Sequence, residues 1–149
     1  MKSLEDLNAC YRAMPPVAAM GIHATAWDGQ RLHLRAPLAA NTNDKGTVFG
    51  GSMASIATLA AWGLLTLRLG AEGLKAEVYV ADSQLRYLKP LVADLAADAW
   101  LEEGTDWGAF LRSYRERGRA RAQLLARVLD PEGATVAEFS GRFAALRAP

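Results

Sequence analysis

Val48 through Leu67 is a run of twenty residues without a single charge, and it constrains this chain more than any other feature. By length and composition such a run could cross a bilayer. Two adjacent glycines, Gly50 and Gly51, and the hydroxyls of Ser52, Ser55 and Thr58 interrupt its apolar character, and the flanking sequence reads as strands that must pack on something. A helix apolar on every side is equally what a sheet encloses in a globular fold. The expectation is a buried central helix over roughly Gly51 to Leu69, with no membrane involved. A Gly-Gly step at its start leaves backbone N–H groups bare, with the positive end of the helix dipole behind them. That is a site for a developing oxyanion. Asn43, in the loop ahead, offers a side-chain amide as a further donor. Ser52, Ser55 and Thr58, spaced by three, fall along one strip of the helix.

With 149 residues, 51% of them hydrophobic, and a formal net charge of +1, the chain reads as one domain over residues 1–149 with a single core. That charge balance gives no footing for nucleic acid. A lone cysteine, Cys10, cannot close an internal disulfide, and the first residues lack the pattern of a secretory signal, so a cytoplasmic location is expected. Two isolated histidines, His23 and His33, sit on strand faces that look outward and form no cluster of metal-ligand type.

Ser3 is an N-cap candidate for a short amphipathic helix carrying Leu4, Leu7, Tyr11 and Met14, ended by Pro15-Pro16. Val17 to Trp27 and Arg31 to Pro37 read as two strands joined at Asp28-Gly29. After the central helix, Gly70 to Gly73 turns the chain and Glu77 to Lys89 forms a long strand before Pro90. Leu95 to Glu102 is another. Trp107, Phe110, Leu111 and Tyr114 then follow helical spacing, with Thr105 or Asp106 as N-cap and Gly118 as terminator. Arg119 to Leu129 and Ala134 to Leu146 close the chain as strands around Asp130-Pro131-Glu132-Gly133. The pattern predicts an α+β domain, an antiparallel sheet curled round the central helix. Pairing of the long Glu77 to Lys89 strand with its copy would cover an open sheet edge and make a homodimer.

Asn43-x-x-Gly46-x-x-Phe49-Gly50-Gly51, the apolar helix behind it and Leu85-Arg86-Tyr87-Leu88-Lys89-Pro90 together resemble the hotdog-fold superfamily of acyl-thioester enzymes over nearly the whole chain. In the phenylacetate-pathway thioesterases the loop carries His where this chain has Phe49, and the following helix carries a carboxylate where it has Thr58. The full stretch Asn43 to Ser52, with Ala61-Trp62-Gly63, Ala81-Asp82-Ser83 and Ser140-Gly141-Arg142-Phe143, resembles a family long labelled as thioesterases. Its members are also described as malonyl-acyl carrier protein decarboxylases, which prime fatty-acid synthesis. The resemblance implies Asn43 and Thr58 as the active-site pair, the Gly51 N–H as oxyanion donor, and Phe49, Gly50, Ser52 and Ser55 along the substrate. It implies no resident cofactor, because the substrate brings its own phosphopantetheine arm.

Hydrolysis needs a group to activate water, and both usual ones are replaced here. Decarboxylation of a malonyl thioester needs none: the leaving carboxylate supplies the electrons and the protein stabilises the enolate. Malonyl-thioester decarboxylation is therefore the expected activity, with short-chain thioester hydrolysis second and a non-catalytic acyl-thioester binding module third. A hydroxyacyl dehydratase lacks its His and carboxylate here. Asp82 is the competing base, though pairing with an arginine such as Arg86 would make it structural. Arg112, Arg115 and Arg119 on the second amphipathic helix are either a solvated face or a landing site for coenzyme A or an acidic acyl carrier protein. Association of dimers into tetramers stays open.

Overall fold

The computed structural model describes all residues 1–149, in the order α1 (Leu4–Ala13), α2 (Pro15–Met20), β1 (His23–Trp27), β2 (Leu32–Ala36), α3 (Gly50–Ala71), β3 (Ala76–Tyr87), β4 (Leu95–Leu101), α4 (Trp107–Arg117), β5 (Arg119–Leu129) and β6 (Thr135–Arg147). The strands form one antiparallel sheet in the order β1-β2-β4-β5-β6-β3. This is the α+β arrangement expected from the sequence.

The twenty-residue apolar run is the core. Ile56, Ala57, Ala60, Ala61, Leu64 and Leu65 of α3 are fully buried. They pack on the inward residues of the sheet, Leu32 and Leu34 from β2, Ala97 and Ala99 from β4, and Leu124, Ala126 and Val128 from β5. Each buried leucine or isoleucine contributes about 1.5–3 kcal/mol relative to exposure, which is why the run stays inside. Gly63 lets α1 cross α3 closely, since a Cβ there would lie 2.5 Å from the Tyr11 hydroxyl and 2.8 Å from Leu32. Tyr11 donates to the Leu59 carbonyl at 2.7 Å, and burial pushes its own pKa far upward.

Three expectations about local structure need correction. Residues 17–20 are helical rather than a strand: Pro15 and Pro16 occupy the first turn of α2, where their missing N–H groups cost nothing, and Gly21 ends it at φ 67. The first strand is thus confined to His23–Trp27. Arg119 opens β5, as the strand expected over Arg119 to Leu129 has it, because Gly118 stops α4 in the left-handed conformation at φ 73, so it does not share the helix face of Arg112 and Arg115. Asp82 pairs with Arg142 at 2.6 Å instead of Arg86. The sheet register puts Asp82 directly opposite Arg142, whereas Arg86 faces Glu138.

Both β1 and β3 are edge strands. β3 pairs with β6 along its whole length, apart from a bulge at Ala81, and has no partner on its other side. Val80, Tyr87 and Leu88 are exposed on or just beyond it.

Candidate active site

The loop ahead of α3 is built by two asparagines. Asn41, only 3% exposed, donates from its side-chain amide to the carbonyls of Met20 (2.8 Å) and Pro37 (2.7 Å), tying the end of α2 to the loop. Its own carbonyl accepts from the Phe49 N–H at 2.7 Å. The Asn43 Oδ1 accepts from the N–H groups of Lys45 (2.8 Å) and Thr47 (3.0 Å), and its amide donates to the Thr47 hydroxyl at 2.7 Å. Asn43 thus closes an Asx turn, with its side chain engaged inside its own loop.

That loop delivers Phe49 as the backbone N-cap of α3, at φ −61 and ψ 129. The Ser52 and Met53 N–H groups both donate back to the Phe49 carbonyl, at 3.0 and 3.2 Å. Ser52 is therefore a buried residue of the first turn and not the cap. The N–H groups of Gly50 and Gly51, the first two residues of the helix, find no acceptor in the chain. Two adjacent bare donors sit at the positive end of a 22-residue helix.

Their surroundings are apolar. The Phe49 side chain is 55% exposed and lies over Gly51, where an added Cβ would come within 2.4 Å of the ring. Tyr87, at the far end of β3, stacks its ring 3.4 Å from where a Gly50 Cβ would be and donates its hydroxyl to the Gly50 carbonyl at 3.0 Å. The ionisable residues of the loop, Asp44 and Lys45, are exposed and pair with each other at 2.9 Å.

One and two turns further along, Ser55 and Thr58 face a depression of about 320 Å³ lined also by Pro16, Val17 and Met20 of α2 and by Ala54 and Leu59. Both hydroxyls donate back along the helix, Ser55 to the Gly51 carbonyl at 2.8 Å and Thr58 to the Ala54 carbonyl at 2.7 Å. Their remaining lone pairs are the polar features of an otherwise apolar wall.

Other predicted site residues lie elsewhere. Asp82 stands with Arg142 on the sheet face turned away from α3, in register with Gln123. Arg112 is exposed on α4, and Arg115 reaches Glu72 at 3.8 Å. Sequence reasoning passed over Asn41 and gave Tyr87 only as part of the Leu85 to Pro90 motif, with no role at the site. It also passed over Asp98 on β4, 2% exposed and held by Arg31 (2.8 Å) and Arg127 (2.8 and 3.2 Å), with the Arg31 guanidinium 4.2 Å above Trp100.

A curved antiparallel sheet around one long helix, with bare N–H groups at the Gly-Gly start of that helix, defines a hotdog-fold protein of the acyl-thioester class. The chain belongs to the family described as "Putative thioesterase (yiiD_Cterm)", which matches residues 4–147. Among solved structures it is similar to a protein of unknown function from Chlorobaculum tepidum TLS, with a TM-score of 0.90, 27% identity and coverage of 97% of this chain and 94% of that one. A thioesterase-family protein from Shewanella oneidensis superposes with a TM-score of 0.86 at 26% identity, over 96% of each chain. A Pseudomonas aeruginosa protein described as a probable thioesterase shares the fold, with a TM-score of 0.81 and 23% identity over 98% of this chain and 97% of that one.

Proposed function

We propose that this protein decarboxylates a malonyl thioester, carried on acyl carrier protein or coenzyme A, to the acetyl thioester. The observation that carries this reading is the pair of unpartnered N–H groups at Gly50 and Gly51, set against Phe49 and Tyr87, with no imidazole or carboxylate of their own chain accepting from them. The bond between the carboxylate carbon and C2 breaks, carbon dioxide leaves, and the electron pair moves into a thioester enolate. The charge on the enolate oxygen falls on the two donors, and C2 then takes a proton from water. One such donor is worth about 3–4 kcal/mol in comparable sites. Thr58 lies seven residues, about 10 Å, along α3 from Gly51, too far for one malonyl group to span, so in the dimer its hydroxyl turns from Ala54 to the carboxylate of a substrate held at the other copy's Gly50 and Gly51, at a net cost of about 1 kcal/mol or less. Asn43 acts as a positioning residue, holding the loop that presents Gly50 and Gly51.

Two copies pair through the free edge of β3, which covers its unpaired backbone groups and the exposed Val80 and Tyr87. Hydrolysis of short acyl thioesters is the second reading, favoured by the thioesterase description of the family. Purified protein given malonyl-pantetheine and acetyl-pantetheine in separate reactions tests the choice. Consumption of the malonyl compound with the acetyl compound left intact supports decarboxylation. Release of free thiol from the acetyl compound supports hydrolysis.

A further inference from the structure

Five arginines and one glutamate fall between residues 112 and 121, and the fold sorts the arginines into engaged and free. Arg115 reaches Glu72. The guanidinium of Arg147 donates to the carbonyls of Tyr114 (3.3 Å) and Arg115 (2.9 Å), closing the end of α4. Arg117, Arg119 and Arg121 make no ion pair. With Ser113, Ala144 and Leu146 they line an open depression of about 460 Å³. Arg119 and Arg121 alternate with the buried Ala120 and Ala122, so both stand on the outer face of the sheet. The acidic residues of this corner are Glu116, exposed on α4, and Glu77, whose carboxylate already accepts the Tyr79 hydroxyl at 3.0 Å. Three uncompensated guanidiniums repel one another and favour a multivalent anion.

The position of this depression decides what it serves. Arg119, Leu146 and Glu77 form one row across β5, β6 and β3. Tyr87, which holds the Gly50 carbonyl, is ten residues further along β3. That is about 33 Å of strand. A pantetheine arm, comparable to about five extended residues, spans roughly 18 Å, so the depression cannot serve the site of its own chain. Pairing of β3 with its copy in one continuous sheet is antiparallel. Such pairing about the middle of the strand brings the copy's Tyr87 end, with its Gly50 and Gly51, beside Glu77. From β5 to the copy's β3 is three strand spacings, about 14 Å, and because Arg119 and Arg121 stand on the outer face while Gly50 and Gly51 lie on the α3 face, the arm passes round the ends of the strands, where Arg117 ends α4.

We propose that Arg117, Arg119 and Arg121 of one subunit dock the acidic face of a carrier protein whose arm enters the active site of the other subunit. This rests on the pantetheine substrate and β3 dimer proposed above. A carrier protein is preferred to the nucleotide of coenzyme A because the depression is open and has no aromatic side chain for a base to stack on.

The triple variant R117E/R119E/R121E tests the docking. At low salt its affinity for holo carrier protein, measured by titration without turnover, should fall more than tenfold, and the difference should shrink as salt rises. The KM for malonyl-carrier protein should rise in step at constant kcat, with malonyl-pantetheine unaffected. An equal loss on malonyl-coenzyme A would make the depression a phosphate site and overturn the carrier assignment, and unchanged carrier affinity would overturn it outright. Failure of the wild type to turn over any malonyl substrate would sink the functional reading, while the titration still decides the docking. Co-expression of the triple variant with a Gly50→Pro chain tests the crossing between subunits. Mixed dimers pair one intact site with the other chain's intact arginines, so carrier-dependent turnover should recover to about a quarter of wild type under random mixing. No recovery would mean that each chain serves itself, contrary to the proposal.

Discussion

Replacing Gly50 by proline deletes one backbone donor while leaving the backbone path intact. Gly50 is the first helical residue, where proline fits best, and its N–H has no partner to lose. Phe49, at φ −61 and ψ 129, already has the extended conformation that a following proline demands. A Cβ at position 50 would meet the Tyr87 ring at 3.4–3.5 Å, close to ordinary contact, and Gly50→Ala controls for it because alanine keeps the N–H. Unfolding in urea should place both variants within about 1 kcal/mol of wild type. If the two N–H groups share the enolate charge, Gly50→Pro loses about 3–4 kcal/mol of transition-state stabilisation, roughly a 10²–10³-fold fall in kcat. Malonyl-pantetheine turnover, measured as loss of substrate by mass spectrometry, should show that fall in kcat with little change in KM, the pattern of an interaction made only in the transition state. Gly50→Ala should stay close to wild type. A folded Gly50→Pro variant with kcat within about threefold of wild type would refute the two-donor site.

Thr58→Val keeps the branched shape and removes the hydroxyl, so malonyl turnover should fall roughly tenfold or more in a stably folded protein, read in the same assay. Thr58→Asp should abolish it by placing like charge beside the malonyl carboxylate. Asp98→Ala leaves the guanidiniums of Arg31 and Arg127 facing each other without their acceptor. Both arginines reach solvent, which discounts the penalty, and urea unfolding should show a loss of about 2 kcal/mol. The Asp130 carboxylate accepts from the Ala134 N–H (2.8 Å) and pairs with Lys89 (3.1 Å), which holds its pKa below the ordinary value. Stability from a depressed carboxylate is complete above its unfolded pKa and is lost as pH falls through the folded one. Asp130→Asn should therefore destabilise at about pH 7 and by progressively less as the pH falls below the ordinary carboxylate range, as thermal unfolding across that range would show.

The sequence made the central helix legible because an uncharged run of that length must either be buried or cross a membrane, and the neighbouring strands supplied the burial. Asp28-Gly29 marked its hairpin, and Asp106 and Gly118 marked the ends of α4. The short helix α2 was not legible, since Val17-Ala18-Ala19-Met20 carries no usable period and Pro-Pro marks the start of a helix as readily as a stop. Partners across the sheet were hidden for a different reason. Arg127 and Arg31 lie 29 and 67 positions from Asp98, and Arg142 lies 60 from Asp82. Only the register of the strands brings them together. At the site, the glycine pair at the start of α3 and its bare N–H groups were visible, though the oxyanion donor was assigned to Gly51 alone. Nor was it visible that the Asn43 amide would be engaged within its loop while Asn41 ties that loop to α2.

The product formed from a malonyl thioester in deuterated water tests the central claim most directly. A site that stabilises an enolate and leaves the C–S bond intact predicts acetyl thioester carrying solvent deuterium on its methyl group, released carbon dioxide in equal amount, and no free thiol. Free thiol appearing together with intact malonate would show that the bare N–H groups of α3 serve hydrolysis, contradicting decarboxylation as the function of this protein.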